Sequence, residues 1–411
     1  MMRDTPPLAQ PAHEPVWSEQ YCGGAWVLSG YDDVAAALRD PRFSVRRAAR
    51  WINGAASDAG DARQQRDFKR VFSRSLLFLD GRAHRRLRHV IQPGFKPAEL
   101  QRQAPAIAAI ARRLLDRIGP QVASHTQFDF VEAFARPLPA LVIANLLGLP
   151  DRVPAEFIDW AAALAAFIGA PTPDQAQAAA ARQALADMCD FFTLAMAADD
   201  LGDGLLARIA VAHREQKISG TEALAQCSTL LFAGYETTRN LLGNGLLALL
   251  RHPAQWAALK AAPQNLRLAV REMLRYDSPV QYTGRRLVAD IELGGQRLRR
   301  GQLAILHIGM ANHDARRFSD PGRFDIARDQ GNHLSFGHGP HVCLGAALTQ
   351  LEAEIAFGTL LQALPEISLA PSPPQWQPLA AYRALERLPV TPGKSTQQPT
   401  QPPTHRELTH A

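Results

Sequence analysis

Between Ser219 and His252-Pro253 the chain runs without a proline, and apolar residues return at helical spacing throughout. Ser219 and Glu222 stand at the interval of a capping box, so one helix is predicted from about Thr221 to Leu250. Some 30 residues at ~1.5 Å each make a rod of about 45 Å, enough to cross a whole domain. Leu230, Leu231, Phe232, Leu241 and Leu242 flank a polar interruption, Glu236-Thr237-Thr238, which marks the segment as buried. The rest of the chain must pack around this rod.

Helical spacing recurs at residues 31–39, 98–118, 131–147, 154–169 and 175–198. Strand signals are fewer. Residues 290–309 read as a hairpin turning at Gly294-Gly295 and then a second strand, and AWVLSG (25–30) is strand-like. The fold class is mainly α (α+β), with small sheets. Aromatics at only 7% fit that helical lean. One folded domain is expected over residues 16–392, after a flexible, proline-rich N-terminus (1–15). Residues 393–411, rich in Pro, Gln and Thr, cannot bury a face and are expected to be disordered.

The four cysteines, Cys22, Cys189, Cys227 and Cys343, are scattered and form no CxxC pair, which fits a reducing, cytoplasmic setting. No run approaches the ~20 apolar residues of a membrane span, so no membrane partner is expected. A net charge of +6 reads first as solvated surface and second as a docking face for an acidic partner. No nucleic-acid motif accompanies it.

Residues 333–361 carry the first chemical signal. A loop punctuated by Gly337, Gly339 and Gly345 leads to Cys343 and straight into an amphipathic helix. Glycines let a backbone close tightly over a flat group. The free N–H groups of a helix start favour sulfur as the anion. A thiolate so held suits iron, and its hydrogen bonds tune the metal. Two other readings stand beside this one: a small buried apolar cysteine, and a zinc site built from His333, His338, His341 and Cys343. In the long helix, Glu236 beside Thr237 makes a carboxyl–hydroxyl pair able to relay protons. Ala233-Gly234 leaves room for a ligand. The competing reading is a polar face turned to solvent.

FGHGPHVCLG (336–345) resembles the haem-binding signature of the cytochrome P450 family, and the likeness extends from GAWVLSGYDDVAAALRDPRFS to ALERLPV. That resemblance implies a helix-rich triangular body with small β-sheets. Haem b, iron protoporphyrin IX, would lie between the long central helix and the cysteine-loop helix. By the same resemblance Cys343 is the proximal metal ligand, in a loop shaped by Gly337 and Gly345, with Phe336 beside the sulfur. His341, His84, Arg88 and Arg285 hold the propionates, Arg286 pointing away along an extended stretch. AGYETT is similar to the family's oxygen-binding segment, which makes Glu236 and Thr237 the acid–alcohol pair and Ala233 and Gly234 the walls of the oxygen groove. EMLR supplies Glu272 and Arg275 of a structural network whose third member, by resemblance, is Arg323. Pocket walls fall near Leu77–Leu79, Phe167, Phe232, Val280–Tyr282 and Ala381–Tyr382.

The activity so implied is a monooxygenase that inserts one atom of O2 into a small, mostly apolar substrate. No flavin or nicotinamide domain follows in the chain, so electrons are expected from a separate ferredoxin and ferredoxin reductase. Arg82, Arg85, Arg86, Arg88, Arg316 and Arg317 offer a basic docking face. A peroxide-driven peroxygenase usually lacks the acid–alcohol pair. A haem sensor would tolerate losing it, and an oxygen-independent rearrangement stays open.

Overall fold

Ser219 begins the long helix as its spacing predicts. Its hydroxyl accepts from the N–H of Glu222 at 3.2 Å, and the Glu222 carboxylate accepts from the N–H of Ser219 at 2.9 Å. The computed structural model describes residues 11–46, 62–149, 154 and 156–393; the expectations for residues 1–10 and 394–411 lie outside these. Among the described residues twelve helices have nine residues or more: α1 (Tyr31–Arg39), α2 (Ala62–Phe72), α3 (Gly81–Ile91), α4 (Pro97–Arg117), α5 (Pro137–Leu147), α6 (Phe157–Gly169), α7 (Gln175–Ala197), α8 (Leu205–Arg214), α9 (Gly220–Arg251), α10 (Pro253–Ala261), α11 (Leu266–Tyr276) and α12 (Ala346–Ala363).

The 32-residue α9 packs against α5, α6, α7 and α8 and also against α11 and α12, so both flanks are covered. Its leucines, Leu231, Leu241, Leu242 and Leu246, are fully buried in the main core. Where one helix was predicted over 131–147, a π turn at Val131–Ala135 precedes α5. Pro137 and Pro139 explain the break: neither has an N–H to donate, and both are tolerated in a first helical turn.

The strands are β1 (Val16–Ser18), β2 (Ala25–Leu28), β3 (Phe43–Ser44), β4 (Phe128–Asp129), β5 (Thr283–Leu287), β6 (Ile291–Leu293), β7 (Gln296–Leu298), β8 (Leu303–Leu306), β9 (Ile367–Leu369), β10 (Gln375–Trp376), β11 (Leu385–Arg387) and β12 (Pro389–Pro392). The largest sheet runs β1-β2-β8-β5-β3. Within it β2 and β8 are parallel, with Trp26 opposite Ala304. The predicted hairpin is β6–β7, and Gly294 and Gly295 take φ of +54° and +74° as a tight primed turn requires.

This frame sets two borders of an internal space. On one side lies the middle of α9. On the other lies the loop that carries Cys343 into α12, held against α1 where Gly339 (φ +74°) packs. A Cβ at Gly339 would meet Arg39 Cγ at 2.9 Å and the Leu38 carbonyl at 3.1 Å, so glycine is required there.

Candidate active site

The internal space is a cavity of about 770 Å³. Leu230, Ala233, Gly234, Thr237 and Thr238 of α9 line one wall, and Phe336, Gly337, Cys343 and Gly345 line another. Cys343, Leu77 and Val342 have accessible surface, yet all three border this cavity. The Cys343 sulfur therefore opens inward, enclosed by protein. Burial pushes its pKa up, opposed by the N–H groups of Gly345 and Ala346 and by the Arg88 charge. The N–H of Cys343 donates to the Phe336 carbonyl at 2.8 Å, which closes the loop.

His84 and Arg88, one turn apart on α3, border the cavity with His341 and Arg285. The His84 and His341 rings lie 4.2 Å apart. His341 Nε2 meets Asp80 Oδ1 at 3.0 Å, and Asp80 also accepts from the Ser44 hydroxyl at 2.6 Å. Burial works against the Asp80 charge, but those two bonds hold its carboxyl below its usual range. The His84 pKa is also pushed down, to about 4, by burial and by the neighbouring His341 and Arg88 charges. Arg88 donates to the Val342 carbonyl at 2.9 Å, tying α3 to the cysteine loop. Arg285 is buried on β5 and donates to Thr283 Oγ1 at 2.9 Å. Arg286, expected to point away, borders the cavity as well, its guanidinium bound to the Gly301 carbonyl at 3.3 Å.

The expected acid–alcohol pair is split. Thr237 lines the cavity and its hydroxyl donates to the Ala233 carbonyl at 3.0 Å. Glu236 does not line it. Successive helical residues lie ~100° apart, so the neighbour of a cavity-facing threonine turns aside. The Glu236 carboxylate accepts from Arg239 and Asn240, each at 3.1 Å, within a buried cluster. Gly234 borders the cavity, but its missing Cβ also makes room for α5: a methyl there would lie 2.9 Å from Ile143 Cδ1.

The expectations for Arg323 and for two of the pocket walls are corrected as well. The third member of the Glu272–Arg275 network is Arg328, whose Nε donates to Glu272 Oε1 at 3.1 Å. The Arg323 side chain is 63% exposed and reaches only Asp325, at 3.7 Å; its backbone carbonyl is what joins the network. Phe167 is core rather than cavity wall, 5.5 Å from Phe68 and 6.0 Å from Phe72, and Ile168 borders the cavity in its place. The zinc reading fails: His333 packs on Phe336, His341 is turned to Asp80, and among the described residues no group of three or more His, Cys, Asp or Glu could hold a metal. Leu77, Phe232, Val280, Tyr282 and Tyr382 do line the cavity, whereas Leu79 does not. The sequence reading missed Asp80 and Glu352. The latter is a buried carboxyl in the cavity wall.

One inward-facing sulfur, cationic and imidazole groups grouped with it, and otherwise apolar walls form a donor set that fits a flat iron porphyrin bearing two carboxylates. Together with the helical frame, that defines a haem-thiolate protein. The chain matches the sequence profile of the Cytochrome P450 family over residues 26–265 and 264–371. It is 36% identical over 367 residues to the biotin biosynthesis cytochrome P450 of Bacillus subtilis, covering 89% of this chain and 90% of that one. It is 31% identical to the 6-deoxyerythronolide B hydroxylase of Saccharopolyspora erythraea, covering 92% of each. The solved structure of P450BioI with an acyl-carrier-protein-bound hexadecenoic acid superposes at a TM-score of 0.80, with 34% identity over 90% of this chain and 92% of that chain. The chain belongs to the cytochrome P450 family and is a haem-dependent monooxygenase of the bacterial type. Among the described residues no helix is long and apolar enough to cross a membrane.

Proposed function

We propose that the cavity binds haem b through the Cys343 thiolate and that the enzyme inserts one atom of O2 into a small, mostly apolar organic substrate of biosynthetic or secondary metabolism. The observation that carries this is the Cys343 sulfur opening into an apolar cavity across which Ala233, Gly234 and Thr237 form the other wall. Bound haem supplies the one-electron chemistry by which dioxygen is split. The chain's own residues do the rest. The N–H groups of Gly345 and Ala346 and the Arg88 charge stabilise the sulfur anion. Arg88, Arg285, His84 and His341 give the propionates charge-assisted partners. The Thr237 hydroxyl, its proton donated to the Ala233 carbonyl, presents its oxygen lone pairs to the cavity and directs protons there. Glu272, Arg275 and Arg328 hold the approach to the cysteine loop rigid.

Leu77, Phe232, Val280, Tyr282 and Tyr382 exclude water and select apolar substrates. Cys22 and Thr172, both exposed, border the cavity as well. Electrons come from a ferredoxin and its reductase, docking on exposed Arg82 and Arg85. Arg86 is engaged with Glu222 and the Lys217 carbonyl. No disulfide joins any of the four cysteines, which suits a cytoplasmic setting. Reduced protein under carbon monoxide is expected to show the far-red-shifted Soret band of a thiolate, and Cys343→His to abolish it. A globin-like band in folded wild-type protein would overturn the assignment.

A further inference from the structure

Gly169 ends α6, and nothing in its own backbone calls for glycine: its φ lies outside the left-handed region, and alanine is the better helix former. What forbids a larger residue is a neighbour. A Cβ at Gly169 would stand 2.7 Å from Cδ2 and 3.0 Å from Cε2 of Tyr382, well inside ordinary contact. Gly169 does not itself border the cavity, but Ile168 and Ala170 on either side of it do, and so does Tyr382. The Tyr382 ring therefore lies between bare helix backbone and the cavity.

Backbone on both sides of this contact is pinned. The N–H of Ala381 donates to the Gly169 carbonyl at 3.1 Å, and the Cys22 thiol donates to the Pro171 carbonyl at 3.1 Å. On the tyrosine side, the N–H of Gln281 donates to the Ala381 carbonyl at 2.8 Å and that of Arg383 to the Pro279 carbonyl at 3.0 Å. Asn244 of α9 donates to the Arg383 carbonyl at 2.8 Å, and Arg383 Nε donates to Asp277 Oδ1 at 2.8 Å. Drawing α6 away from this segment breaks hydrogen bonds, whereas turning the tyrosine ring breaks none of these. Tyr382 is 7% exposed, so the space open to a turning ring is the cavity.

We propose that Gly169 is a specificity-determining residue that acts through Tyr382: lacking a Cβ, it seats the ring back in the wall and so sets how wide a substrate the cavity admits. This rests on the monooxygenase reading above and deepens it, since the width beside Tyr382 is fixed by a residue that does not border the cavity. Slender molecules that pass the ring are indifferent to residue 169, and broad ones are not.

The test titrates haem-loaded wild-type protein, Gly169→Ala, Tyr382→Ala and the double variant with nitrogen ligands of iron. The probes are imidazole, the slender 1-dodecylimidazole, and a widening pair, 1-phenylimidazole and clotrimazole. The shift of the Soret band reads each dissociation constant. Gly169→Ala should leave imidazole and 1-dodecylimidazole unchanged. It should weaken the wider of the pair that wild type binds about tenfold or more, the low end of what one misplaced methylene is worth in an apolar pocket. In the Tyr382→Ala background the same alanine should weaken that ligand no further, because the ring that transmits its effect is gone. Equal weakening of all the probes, no weakening of the wide one, or a penalty that survives in the double variant would overturn the proposal; the last would mean that α6 itself had moved. Loss of the fold in Gly169→Ala would overturn it too, since a ring free to turn inward leaves the fold standing. Failure of the haem reading itself would appear earlier, as a missing thiolate carbon monoxide band in wild-type protein.

Discussion

Glu272 receives four hydrogen bonds. Arg275 gives two, from Nε at 2.7 Å and from its second terminal nitrogen at 2.9 Å, Arg328 Nε gives one at 3.1 Å, and the Asp325 N–H gives the last at 3.0 Å. Arg328 also donates to the carbonyls of Ser319, Asp320 and Arg323, so one side chain, 7% exposed, staples the segment between α11 and the cysteine loop. Removing one partner of a buried ion pair costs about 3–5 kcal/mol. Arg328→Ala should fall at the low end, about 3 kcal/mol, because Arg275 still neutralises Glu272. Arg275→Ala should reach the high end, about 5 kcal/mol, since it also strips donors from the Asn312 and Pro321 carbonyls. Arg323→Ala removes an exposed side chain and should cost less than ~1 kcal/mol. Urea unfolding followed by the helical circular dichroism signal should therefore rank Arg275→Ala above Arg328→Ala, with Arg323→Ala near wild type. At ~1.4 kcal/mol per decade, Arg328→Ala shifts the folding constant about 100-fold. If unfolding proves irreversible, half-lives at one elevated temperature give the same ranking. Equal losses for Arg323→Ala and Arg328→Ala would refute the assignment of Arg328.

Thr237→Ala should lower product per reductant consumed and release more peroxide while substrate-induced spectra stay unchanged; unaltered coupling would move the proton route off Thr237. Reversing charge at Arg82 and Arg85 should weaken apparent ferredoxin affinity and flatten its salt dependence, because exposed charges are screened over ~10 Å at 0.1 M salt. Identical reduction rates across salt would locate the docking face elsewhere. His307 is held neutral, its pKa pushed down to about 4 by burial. The unfolded chain protonates it near 6.5, so this stabilisation is present above pH 6.5 and lost as pH falls toward 4. His307→Asn keeps an acceptor for the Met310 N–H and should spare about 3 kcal/mol of that acid loss, measured as unfolding free energy at pH 7.5 and pH 4.5.

The periodic part of this molecule was readable in advance, and the reasons are local. Ser219 and Glu222 cap their helix through bonds within one turn, and Gly294-Gly295 turn their hairpin through their own φ angles. Cys343 was legible because its glycine flanks and following helix are consecutive in the chain. Arg323 and Arg328 share one short loop, DPGRFDIAR, with no repeat to say which points inward; turns closed by Asp320 and Asp325 decide it. Glu236 and Thr237 were paired by adjacency, although a helix sends adjacent side chains in different directions. Glu352 did leave a signal, a charge four residues beyond Leu348 on a buried stripe, yet only the fold reveals that no partner reaches its Oε1.

The parallel seam between β2 and β8 has a consequence for how the chain is born. Leu28 pairs with Leu306, so during synthesis the early strand must wait for 278 residues to follow it out of the ribosome. At roughly 5–20 residues per second that wait lasts about 15–55 s. Meanwhile β2 has only the short β1 beside it, and a lone hairpin is marginal in water. Trp26 and Val27 are therefore exposed to chaperones, proteases and sister chains for most of translation. Tyr21 and Cys22, which border the cavity, hang on this same hairpin. The stretch of cavity wall that this hairpin carries is thus fixed late, although it is encoded among the first.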